Sequence, residues 1–98
     1  MIFTVRLGIA YYNQGFINIK QRYQEYFGDD GSLIIVYLGS WNSTPLEANI
    51  NRRAQPTGTP RIMMGVFFTN WVQQNHQQGD DLIIEILNPN FPNSILIR

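Results

Sequence analysis

The sequence predicts a mostly β, α+β chain: a seven-stranded open β-barrel with two short helices embedded in it. Three observations carry this. Short runs rich in Ile, Leu, Val, Phe and Tyr recur along the chain, several with every second residue apolar. Clusters of Gly, Pro, Asn and Asp separate them. Only two stretches carry apolar residues at helical spacing, and each follows a strand, which fits a barrel better than a doubly wound sheet.

Ile2 to Leu7 reads as the first strand, with Phe3, Val5 and Leu7 facing in and Thr4 and Arg6 out. Gly8 to Gly15 reads as a polar, aromatic loop, I-A-Y-Y-N-Q between two glycines, and Phe16 to Ile19 as a short strand. Lys20 to Phe27 is a helix candidate, because Tyr23, Tyr26 and Phe27 fall at i, i+3 and i+4. Gly28 is placed to end it as a left-handed cap. Leu33 to Leu38 is almost wholly apolar and reads as a strand buried on both faces or spanning the barrel core. Gly39 to Pro45 is a turn cluster around Trp41, which could stack on a ligand or close one end of the barrel.

Leu46 to Asn51 alternates, with Leu46, Ala48 and Ile50 on one side and Glu47, Asn49 and Asn51 on the other. A polar arm follows, in which Pro56, Gly58 and Pro60 supply turn chemistry. Arg61 to Met64 returns as a strand, and Gly65 to Asn75 reads as the second helix through Phe68, Trp71 and Val72. Leu82 to Leu87 and Ser94 to Ile97 are the last strands, joined by a tight connection from Asn88 to Asn93.

Ninety-eight residues make one domain, 1–98, able to bury about 60–65% of its unfolded surface. The chain also reads as a fragment of a larger protein, since it starts and stops almost on strands. Seven Lys and Arg balance seven Asp and Glu, so attraction to a polyanion requires segregated charge. Three of the seven cations, Arg52, Arg53 and Arg61, fall on the arm between the fourth and fifth strands. With no cysteine, disulfides, zinc thiolate sites and cysteine catalysis are excluded. No apolar run approaches the ~20 residues of a membrane span, and no signal peptide opens the chain. A cytoplasmic setting is expected.

The chemistry of a catalytic centre is missing from the pattern. His76 is the sole histidine and reads as a solvated loop residue, too isolated for a metal set. Asp29-Asp30 and Asp80-Asp81 read as caps and turn formers, Asp80 satisfying nearby backbone amides. No nucleophile–base pair or phosphate loop can be argued. The expectation is a non-enzymatic module without metal or cofactor. An Asn- and Arg-bearing arm can pair with base edges, or it can be a solvated hairpin.

Gly15-Phe16-Ile17-Asn18-Ile19-Lys20, followed by an aromatic helix ending Tyr26-Phe27, resembles the "G-x-L-x-I-P-K, then helix ending in Phe" opening of the DNA-binding pseudobarrel family. That family includes plant B-three transcription-factor domains and the recognition domains of EcoRII-like type II restriction endonucleases. Gly65 to Val72 and Gly79 to Ile84 resemble its "glycine, aromatic helix, asparagine, Gly-Asp, apolar strand" unit. One departure is plain: Ile19 runs straight into Lys20 without the family's proline.

The resemblance implies double-stranded DNA as partner, gripped through the major groove by two arms, as the recognition domain of a restriction endonuclease or related bacterial defence protein. A nuclease domain would then belong to the parent protein. By position the first arm is Gly8 to Gly15, with Tyr11, Tyr12, Asn13 and Gln14 at its tip. The second is Asn49 to Arg61, which includes Gln55 and Thr57. Asn49 and Asn51 are the candidates for adenine edges, and Arg53, sharing their parity, is preferred to Arg52 for base reading. Arg6, Lys20 and Arg61 are the candidates for phosphates. The alternative reading is a carbohydrate- or small-ligand-binding barrel using Trp41, Tyr11 and Tyr12, and a third is a structural domain.

Overall fold

The computed structural model describes residues 1–86 and 94–98. Seven strands form one sheet: β1 (Ile2–Arg6), β2 (Phe16–Asn18), β3 (Leu33–Leu38), β4 (Leu46–Asn51), β5 (Arg61–Met63), β6 (Asp81–Ile86) and β7 (Ser94–Ile97). Their spatial order is β1-β6-β7-β3-β4-β5-β2, with β3 and β7 parallel and every other pair antiparallel. The sheet curls into a nearly closed, seven-stranded mixed barrel whose seam lies between β1 and β2. The expected fold class is therefore the observed one. Leu87 and the connection from Asn88 to Asn93 lie outside the described residues.

Alternation builds the core. Phe3 and Val5 of β1, Ile34 and Val36 of β3, Ala48 and Ile50 of β4, and Leu82, Ile84 and Ile86 of β6 all point inward and are buried. Between β2, β5 and β4 the register sets Ile17, Ile62 and Ile50 in one row across the interior. β3 departs from its expectation, since its outward residues Leu33, Ile35 and Tyr37 are exposed or half-buried. A strand at the middle of a one-layer barrel has a single dry face, however apolar its sequence.

Among the described residues there are three helices, one more than expected. The stretch read as a loop is helix α1 (Ile9–Gln14), opened by extended Gly8 and closed by left-handed Gly15 at φ 75°. The two glycines that suggested a loop are its end residues. A 3-10 helix (Gln21–Tyr26) replaces the regular helix expected after β2. Gly28 is not a left-handed cap, because the positive-φ glycine of that turn is Gly31. A side chain at Gly28 would instead meet Ser32. This 3-10 helix helps cover the seam, stacking Tyr23 of the β2 side on Phe3 of β1, with centroids 4.1 Å apart.

Helix α2 (Val66–Asn75) buries Phe68 and Val72, one turn apart, and packs beside α1. The two helices are joined at a close backbone crossing. The Gly15 carbonyl accepts from the N–H groups of Met64 and Gly65, both at 2.9 Å. A Cβ at Gly15 would stand 2.5 Å from the Gly65 oxygen, so only glycine fits.

Candidate functional site

A cleft of about 410 Å3 opens along the β1–β2 seam, lined by residues from both arms. Tyr11 of α1 lines it from the first arm; Gln55, Thr57 and Thr59 line it from the second. Val5 and Arg6 at the end of β1 and Asn18, Ile19, Lys20 and Gln21 at and beyond the end of β2 complete the wall. Two cations and no carboxylate therefore line this space, in a chain whose net charge is zero. Arg6 stands 4.0 Å from Asp81, and both side chains are largely exposed. At that separation in water the pair is weak, leaving the Arg6 charge available.

Five expected site residues thus converge: Arg6, Tyr11, Lys20, Gln55 and Thr57. The rest of the first arm is spread along a helix. Tyr12 is half-buried on the side of α2, its hydroxyl donating to the His76 carbonyl at 3.4 Å and its carbonyl accepting from Gln73 at 2.8 Å. Asn13 donates to the Ile9 carbonyl one turn back at 3.0 Å, and Gln14 is exposed at the helix end. The helical hydrogen bonds and the Tyr12 tether make this arm a braced projection and not a pliable loop.

The second arm sorts its two adjacent arginines. Arg52 is turned inward. Its Nε donates to the Gly28 carbonyl at 2.8 Å, one Nη to Gly58 at 3.2 Å, and the other Nη to Gln24 and Phe27 at 2.8 and 2.9 Å. Four of the five guanidinium N–H groups are spent on the backbone, which makes Arg52 a clamp between arm and 3-10 helix. Arg53 is outward, its side chain 85% exposed and its Nε 3.0 Å from Asp30. Asp30 also accepts from the Arg52 backbone N–H at 2.8 Å, so one carboxylate holds the arm's root.

Asn49 is exposed on the outer face of β4. Asn51 has a second job, because its Oδ1 accepts from the N–H groups of Arg53 and Ala54 at 2.8 and 3.0 Å and so turns the chain into the arm. Within the arm Gln55 donates to the Thr59 carbonyl at 3.4 Å, and the Thr57 and Thr59 hydroxyls are 2.9 Å apart. Arg61 lies over the Phe16 ring at 4.1 Å and donates from Nε to Asn18 Oδ1 at 2.8 Å. Phe16, Asn18, Gln21 and Thr59 were not anticipated. Asn18 did have a signal, as the one polar residue in F-I-N-I, at the parity opposite buried Ile17 and Ile19.

Elsewhere the structure corrects His76, expected to be solvated. Its side chain is only 20% exposed, packs edge-on against Trp71, and lies 3.2 Å from Asp80 through Nδ1. Asp80 also accepts from the Gln77 N–H at 2.9 Å, the turn-forming role expected of it. That backbone bond, then the His76 contact, hold the Asp80 carboxyl below its ordinary value. Trp41 leans on Tyr37 with centroids 5.1 Å apart and is absent from the cleft. Among the described residues no three His, Asp or Glu side chains converge as a metal set, and no helix is long and apolar enough to cross a membrane.

No family model matches the chain, and no curated protein matches it. Among solved structures it is similar to a hypothetical protein from Arabidopsis thaliana, with a TM-score of 0.62 over 100% of this chain and 87% of that one. The two are 10% identical, so the likeness is one of fold.

Proposed function

We propose that this chain is a sequence-specific double-stranded DNA-binding module of the pseudobarrel kind, gripping the major groove between its two arms. The observation that carries the reading is the cleft lined by both arms, where Arg6 and Lys20 meet amide and hydroxyl groups with no carboxylate in the wall. Segregated positive charge in a neutral chain is what a phosphate backbone requires. Both arms are braced, the first by Tyr12 and the second by Arg52, which lowers the ordering cost of engaging a duplex. A recognition domain of a restriction endonuclease or related bacterial defence protein, working in the cytoplasm, is the setting that fits.

A carbohydrate-binding barrel would want exposed aromatic faces around one pocket. Trp41 is on Tyr37, Tyr12 is on the α2 side, and Tyr11 alone of the three lines the cleft, with its ring edge-on to Phe16. The DNA reading is accordingly preferred. Fluorescence titration of this chain with duplexes recovered from a random library tests it. Retention of a preferred duplex with salt-sensitive affinity is expected; no enrichment and no salt response would refute the reading.

A further inference from the structure

β2, β5 and β4 pair in a register that sets Asn18, Arg61 and Asn51 side by side. The adjacent row, Ile17, Ile62 and Ile50, is buried in the barrel. By alternation the polar row therefore faces outward, spanning about 10 Å at ~4.8 Å per strand. It begins at Asn18 on the cleft wall and ends at the root of the second arm.

The orientation of each amide follows from its partner. Arg61 Nε can only donate, so the Asn18 atom 2.8 Å away is the acceptor Oδ1. The N–H groups of Arg53 and Ala54 likewise engage the Asn51 Oδ1. What remains to face a ligand is Asn18 Nδ2, the Nη groups of Arg61 and Asn51 Nδ2. Among the described residues these atoms make no hydrogen bond, and Arg61 makes no ion pair. The side-chain groups of the row that make no hydrogen bond are all donors.

We infer that this row recognises a guanine edge in the major groove, with Arg61 as the base-selecting side chain and Phe16 and Asn18 as its positioning residues. The inference rests on the DNA reading above and replaces the adenine contact expected of Asn51 and the phosphate contact expected of Arg61. An adenine edge needs an acceptor and a donor from the same amide, and the Asn51 acceptor is engaged. Guanine offers two acceptors, O6 and N7, which a guanidinium meets with two donors. Phosphate oxygens are acceptors as well, but they tolerate many directions of approach. The Arg61 plane is held by the Phe16 ring beneath it and the Asn18 bond at Nε, leaving an Nη edge of fixed aim. Tyr11 braces the Phe16 ring from the first arm, at 5.5 Å and nearly perpendicular.

The test uses the duplex selected by the wild-type chain and copies in which each guanine in turn is 7-deazaguanine, which pairs normally but lacks the N7 acceptor. Wild type is expected to lose about tenfold in affinity at one position. Arg61→Lys, which keeps the charge and loses the fork, should bind the parent duplex about tenfold more weakly and ignore the 7-deaza change there. Asn18→Leu, with an unchanged denaturant midpoint, should blunt the same sensitivity. If Arg61→Lys weakens selected and scrambled duplexes by one common factor and keeps the 7-deaza response, Arg61 is a phosphate contact: the inference is overturned and the DNA reading stands. If the wild-type chain selects and binds no duplex, both fall.

Discussion

Nη2 of Arg52 donates to the carbonyl oxygen of Gln24 at 2.8 Å, joining residues 28 apart in sequence. The same nitrogen reaches Phe27, and Nε reaches Gly28, so the end of the 3-10 helix is gathered onto one guanidinium. Removing it leaves several partly buried carbonyls without a donor. Arg52→Ala should cost about 2–4 kcal/mol, from ~1.5–3 per hydrogen bond to a charged group less what water restores. Arg52→Lys should recover little of it, since a point ammonium cannot reproduce the fork. Urea midpoints of the three proteins check this.

The core prediction depends on which face of a strand a residue occupies. Ile84 and Ile34 are fully buried, and their replacement by Ala should each cost about 2–5 kcal/mol. Ile35 is on the half-covered outer face of β3, so Ile35→Ala should cost about 1 kcal/mol. Denaturant curves giving Ile35→Ala the larger effect would invert the inner and outer faces of β3.

Those residues also mark how far the sequence carried. β3 begins and ends where its apolar run does, because Gly31-Ser32 and Gly39-Ser40 bound it, and β7 has the span read for it. The inward set of β1 and β4 was legible from alternation alone. α1 was not, since six residues are too few for a 3.6-residue period to declare itself. The outward position of Arg53 followed from parity with Asn49 and Asn51. What Arg52 does could not be read, because its partners are backbone carbonyls, which carry no side-chain signature. The same holds for Asn51 and Asn18, whose free donors are known only once their acceptors are seen to be engaged.

Gly15 and Gly58 offer a controlled pair, with φ of 75° and 73° respectively. Alanine at either would incur the left-handed penalty of about 1–2 kcal/mol. At Gly58 nothing lies within 4 Å of the new Cβ, whereas at Gly15 it meets the Gly65 backbone at 2.5 Å. Gly15→Ala should therefore destabilise by more than Gly58→Ala, and the excess measures the crossing that seats α1 on α2. Equal thermal midpoints would show that this crossing yields without cost.

Asp80 provides a pH test. Its carboxyl is held below the ordinary value, first by the Gln77 N–H and then by His76. A depressed folded-state pKa means the folded chain binds the proton less readily than the unfolded one. Its stabilisation is then fully present above the unfolded-state value and is lost as pH falls through the folded-state one. Asp80→Asn should flatten the stability profile in the acidic range. An unchanged acid limb in Asp80→Asn would remove this carboxylate from the account of acid sensitivity.

Cations proposed to meet DNA are separable by salt dependence from those that hold the fold. Lys20 lines the cleft, is exposed, and makes no ion pair among the described residues. On the proposed DNA reading, Lys20, Arg6 and Arg53, the last in place of the base contact expected of it, would meet about three phosphates, for a slope of log K against log salt near −3 at ~0.9 per contact. Lys20→Ala should weaken preferred and scrambled duplexes alike and reduce that slope by about one. Arg53→Ala should reduce it by less, since its Asp30 partner offsets part of the charge offered to a phosphate. Arg52→Ala should leave the slope of the folded fraction unchanged, because its donors already face backbone oxygens. Titrations at several salt concentrations, under conditions where every variant is folded, yield all three slopes. A slope lost with Arg52 and kept with Lys20 would mean that the clamp opens on binding and that the inward arginine, not the exposed lysine, is the one that reaches the duplex.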